Sequence, residues 1–90
     1  MKKNQYFELV KQITTSVKSK GYNYSRVFSE ARVTMNGYKT KIWHCNDSVE
    51  VAKFINKKFG DKVVATSYIY NNHGCYSQNV RITPIAQVEC

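Results

Sequence analysis

Residues 25–45 read SRVFSEARVTMNGYKTKIWHC, and this segment decides the fold. Val, Phe and Thr are dense from Ser25 to Met35, as they are in strands, and Asn36-Gly37 follows directly. An Asn-Gly pair favours the type I′ turn, because both central residues need positive φ. The chain is therefore expected to reverse at Asn36-Gly37 into a second strand, Tyr38–Cys45. Such a turn fixes a register, with Met35 opposite Tyr38, Val33 opposite Thr40 and Ala31 opposite Ile42 on an apolar face. The other face then carries Arg32 opposite Lys41, Thr34 opposite Lys39, and Glu30 opposite Trp43, the only Trp of the chain. Because side chains alternate across a strand, one hairpin sorts into a core side and a cationic side that also holds an aromatic.

Outward from the hairpin, the flanks supply what the core side needs. Before it, Tyr6, Leu9, Val10, Ile13 and Val17 recur at the spacing of one helical face within Asn4–Lys20. Asn4 is placed to cap that helix and Gly21 to end it. After it, Asp47-Ser48-Val49-Glu50 reads as a variant capping box, with Asp47 at the N-cap and Glu50 reaching back. Val51, Ala52, Ile55 and Phe59 form the apolar face of this second helix, and Gly60 closes it. Lys62–Tyr70 and Tyr76–Thr83 have strand composition, with Asn71-Asn72-His73-Gly74 as the turn between them. Val63, Ala65, Ile69, Val80 and Ile82 are expected to point inward, leaving Thr66, Tyr68, Tyr70, Asn79 and Arg81 outside.

The order is α-β-β-α-β-β. Two amphipathic helices need a surface to cover, and a four-stranded antiparallel sheet provides one. The expected fold is an α+β two-layer sandwich with both helices on one face and the strands in the order 3-4-2-1. The ferredoxin-like βαββαβ order becomes this one when its first strand is moved to the C-terminus, a circular permutation. Ninety residues leave room for a single domain, residues 1–90, because a second core would need about 50 residues of its own.

Fourteen Lys and Arg against six Asp and Glu give a net charge of +8. A surplus of this size points to a polyanionic partner, meaning nucleic acid, a nucleoprotein or one protein with an acidic surface. No stretch approaches 18 apolar residues, and Met1-Lys2-Lys3 is followed by no apolar signal core. The expectation is a cytoplasmic protein with no membrane contact. Cys45, Cys75 and Cys90 form no CxxC pair and leave an odd one over, unlike a secreted disulfide scaffold. The abundance of Lys, Asn and Tyr suits an AT-rich genome such as many phages have.

With the helices on one side, the uncovered sheet face is expected to show Arg32, Lys39, Lys41, Trp43, Tyr68, Tyr70 and Arg81. Single-stranded nucleic-acid platforms use this combination, since bases stack on aromatic rings for roughly 1–3 kcal/mol each while cations neutralise phosphates. The RRM is a sheet of this kind, but its RNP1 pattern is absent, so the shared element is the physics. Lys11 and Lys18 on the first helix and Lys53, Lys57 and Lys58 on the second read as solvated polar faces. The double-stranded-RNA-binding layout fits poorly, because two more strands follow the second helix.

His44-Cys45 and His73-x-Cys75 are the weaker candidates for a metal. Their separation matches no finger spacing, and adjacent residues of a regular strand point to opposite faces. No oxyanion hole or third orienting group accompanies either His/Cys pair, so no catalysis, metal or cofactor is expected. The leading expectation is a small, non-enzymatic protein that engages RNA, DNA or a nucleoprotein through its aromatic and basic sheet face. The alternative is a phage or mobile-element antagonist of host machinery, anti-defence or anti-CRISPR-like, in which the same rings anchor a protein contact. The edge strands of an open sheet also give a second copy a place to pair as a homodimer.

Overall fold

A computed structural model of the chain describes residues 1–34, 37–86 and 88, with the side chains of 29–34, 37–39 and 72 outside the description. The elements run α1 (Lys3–Ser19), β1 (Arg26–Thr34), β2 (Gly37–Trp43), α2 (Ser48–Phe59), β3 (Val63–Asn72) and β4 (Cys75–Pro84). α1 buries Tyr6, Leu9, Val10, Ile13 and Val17, the stripe its spacing predicts. It begins earlier than Asn4: Lys2 takes the N-cap, and its N–H donates to Gln5 Oε1 at 2.9 Å. It ends in a full Schellman motif, with Gly21 at φ +96°. The Gly21 N–H donates to the Lys18 carbonyl at 3.0 Å and the Tyr22 N–H to the Val17 carbonyl at 3.3 Å.

α2 begins after Asp47, as expected, but not through a capping box. The Asp47 side chain makes no cap hydrogen bond, and Glu50 lies 3.9 Å from Lys53 Nζ instead. The i,i+3 ion pair on the exposed helix face competes for the carboxylate that the box requires.

The sheet order is β1-β2-β4-β3, with every neighbouring pair antiparallel, which is the permuted ferredoxin-like arrangement. Both helices lie on one face. Ile13 and Val17 of α1 and Val51 and Ile55 of α2 meet Ile42, Val63, Val80 and Ile82 of the sheet, all of them fully buried. Each side chain so buried contributes roughly 1.5–3 kcal/mol. A polar link between the layers joins the buried hydroxyls of Tyr6 on α1 and Thr40 on β2. Burial pushes the Tyr6 phenol up, against the opposing effect of that hydrogen bond.

The first hairpin differs from the expected register. Arg26 pairs with Trp43, Val27 with Ile42, Phe28 with Lys41, Ser29 with Thr40 and Glu30 with Lys39, and an irregularity between Glu30 and Thr34 leads to a Thr34–Gly37 pair. Gly37 is thus a ladder residue, and the rest of the expected turn, at Asn36, lies outside the described residues. In the strand body the partner of each β2 residue lies four positions earlier than the turn rule predicts. The core explains the shift, because this register sets Val27, packed against the core, beside the fully buried Ile42. An even shift keeps the faces, so Val27 and Ile42 lie on the core side and Lys41 and Trp43 on the outer side.

The second hairpin holds the turn chemistry assigned to the first. Asn72 pairs with Cys75, and the two residues between them, His73 at φ +51° and Gly74 at φ +82°, have the positive φ values of a type I′ turn. The strands pair without a break from Val63–Pro84 to Asn72–Cys75. Val63, Ala65, Val80 and Ile82 are buried as expected, but Ile69 is 67% exposed.

Candidate nucleic-acid interface

The sheet face away from the helices is built from two rows of side chains. In one row Arg26 pairs with Trp43 and Asn79 with Tyr68; the next runs Phe28, Lys41, Arg81 and Thr66. The rings interlock edge to face. Phe28 and Trp43 stand 5.7 Å apart at 85°, and Trp43 and Tyr70 stand 5.7 Å apart at 75°. The Arg26 guanidinium lies 4.4 Å from the centre of the Phe28 ring, and that of Arg81 lies 4.8 Å from the centre of the Tyr68 ring. At these separations the cation is held by the ring quadrupole. Among the described residues no carboxylate pairs with Arg26 or Arg81.

Under the rings lies a buried polar residue on a face that no helix covers. Asn79 is fully buried and pairs with Tyr68 on the ladder. Its Oδ1 accepts from the His44 backbone N–H at 3.1 Å, and its Nδ2 donates to the Ser77 carbonyl at 3.1 Å. Strand alternation puts Asn79 on the outer side, where its side chain is nonetheless fully buried. The Tyr68 hydroxyl oxygen is also buried, with no hydrogen-bond partner among the described residues.

Of the side chains expected here, Trp43, Tyr68, Tyr70, Lys41 and Arg81 stand together on this face. Trp43, Tyr68 and Lys41 are half-buried, while Tyr70 and Arg81 are exposed. The side chains of Arg32 and Lys39 lie outside the described residues. Arg26 and Phe28 are members that the turn-based register misses, because it brings Glu30 rather than Arg26 to Trp43. The signal for them is an Arg-x-Phe pair on the outer parity of a strand long enough to slide. Arginines lie over Phe28 and Tyr68, while Trp43 is half-buried between Phe28 and Tyr70, and Tyr70 is exposed.

The His/Cys pairs separate. His44 adopts φ +52° at the end of β2, and this break turns Cys45 back into the core, where it is fully buried. Its N–H donates to the Gln78 carbonyl at 2.8 Å. Burial pushes the Cys45 thiol up, with a hydrogen bond to the Asp47 backbone opposing the shift. His44 is exposed, its ring 6.3 Å from Trp43, and both His73 and Cys75 are exposed at the far end of the β3–β4 hairpin. Among the described residues no three His, Cys, Asp or Glu side chains converge on one point.

The helix lysines behave as solvated groups: Lys11 lies 3.5 Å from Glu8, and Lys58 Nζ donates to Ser16 Oγ at 3.2 Å across the two helices. Among the described residues no helix is long and apolar enough to cross a membrane. Compared with protein-family models, with curated proteins and with solved structures, the chain shows no significant match to any.

Proposed function

We propose that the chain is a non-enzymatic binding protein that engages single-stranded RNA or DNA through the open face of its sheet. The observation that supports this reading is the pairing of cations with rings: Arg26 on Phe28 and Arg81 on Tyr68, on either side of Trp43 and Tyr70. A guanidinium stacked on a ring keeps its N–H edge directed outward, where a phosphate oxygen can accept from it. Trp43 and Tyr70 then offer faces on which bases stack, and Lys41 adds charge in the same row as Arg81. Recognition of this kind is tolerant of sequence, because every base has a π-face.

The test compares Tyr70→Ala and the double variant Arg26→Gln/Arg81→Gln with the unaltered chain, on the same single-stranded oligonucleotide. Tyr70→Ala is expected to weaken binding at every salt concentration about equally. The double variant is expected to flatten the dependence of affinity on salt, by roughly one in the logarithmic slope for each phosphate no longer neutralised. Neither effect is expected if the same rings anchor a protein partner. An outcome of that kind would favour the antagonist reading, with Trp43 and Tyr70 as anchors of a protein contact.

A further inference from the structure

We infer that the free edge of β3 pairs with β3 of a second copy, joining two sheets into one. β3 is an edge strand of ten residues, VVATSYIYNN, and no charged residue occurs anywhere from Val63 to Val80. Edge strands that must stay single carry Lys, Pro or a bulge, and β3 has none of these. In a chain of net charge +8, this uncharged stretch is where two copies approach with least repulsion.

The direction of the backbone groups defines how long the open edge is. The Ala65 N–H donates to Asn56 Oδ1 and the Ala65 carbonyl accepts from Asn56 Nδ2, each at 2.8 Å. Ala65 therefore points away from β4, and by the period of two so do Ser67, Ile69 and Asn71. Asn56 occupies the edge at Ala65 in the way an added strand would. Beyond it, Ser67, Ile69 and Asn71 have no neighbouring strand among the described residues.

These three residues are self-complementary. An antiparallel pairing about a two-fold axis at Ile69 sets Ile69 opposite its own copy and Ser67 opposite Asn71, so that all three satisfy their N–H and carbonyl groups. The same register lays Tyr68 beside Tyr70 of the second copy on the outer face. It also covers Ile69, which is 67% exposed in the single chain. The pairing stands independently of the nucleic-acid reading; if both hold, the two aromatic faces form one continuous surface.

Sedimentation equilibrium across a concentration series, without nucleic acid, tests this. The unaltered chain is expected to reach twice its monomer mass, and Ile69→Lys to remain monomeric with an unchanged circular dichroism spectrum. Asn71→Pro serves as the second variant, because it removes only a donor that faces away from β4, and it too is expected to be monomeric. A chain that stays monomeric at every concentration, or a dimer that survives Ile69→Lys, would overturn the inference.

Discussion

Two polar residues on the outer face make opposite predictions. Asn79 is fully buried with its amide hydrogen-bonded at both ends, and it holds the His44 backbone where the strand breaks. Asn79→Leu leaves that N–H without an acceptor and is expected to cost about 1–3 kcal/mol in a denaturant titration. Tyr68 has the reverse problem, a buried hydroxyl with no partner among the described residues, so Tyr68→Phe is expected to leave stability unchanged or raise it by up to about 1 kcal/mol. Cys45 and Tyr6 add a dependence on pH. Each has its acid form favoured by burial, so the folded chain retains protons that the unfolded chain releases. The contributions of these two groups are therefore fully present below their ordinary values, and stability is expected to fall as pH rises past the ordinary thiol value of 9.0 and then the phenol value of 10.0. Denaturation midpoints measured at successive alkaline pH values check this, and Cys45→Ala is expected to remove the first part of the fall. The burial of Asn79 is not legible in the sequence, because alternation assigns a face but not what lies over it.

At the scale of the element, local signals are reliable where nothing competes with them. The stripe on α1 and the Gly21 stop describe contacts within one helix, and the structure contains both. Gly21→Ala introduces a side chain at φ +96° into open space, so its expected cost is backbone strain alone, about 1 kcal/mol in thermal or chemical denaturation. The Asn-Gly signal at residues 36–37 fails as a guide to register because pairing in the body of β1 and β2 answers to the core. Val27 against Ile42 outweighs the turn preference, and the irregularity before Thr34 absorbs the difference. The faces assigned to Lys41, Ile42 and Trp43 hold because the displacement is even. His73-Gly74, legible only as part of a longer turn, carries the positive φ pair, so Gly74→Val is expected to lower stability. Asn56 is an element-scale device that no periodicity reveals, since its partner is a backbone nine positions away. Asn56→Ala is expected to release the Ala65 edge and increase self-association in sedimentation.

Across the whole molecule, placing both helices on one side leaves the other face of the sheet to be covered by its own side chains. The chain does so with rings and cations packed on one another, which protects a polar centre and presents positive charge outward. This economy explains why the outer face is only partly legible: composition and alternation locate Trp43, Tyr70 and Arg81, but the partners Arg26 and Phe28 depend on register. It also means that Trp43 is structural as well as a candidate contact, so Trp43→Ala is a poor test of binding alone. The central claim, that this face binds single-stranded nucleic acid, is tested most directly by titrating the unaltered chain with a labelled oligonucleotide at two salt concentrations. Anisotropy and Trp43 emission are recorded together. Binding is expected to be saturable, to weaken as salt rises and to quench Trp43 in proportion to occupancy. Binding without any change in Trp43 emission, or no binding at low salt by a chain of charge +8, would contradict the claim.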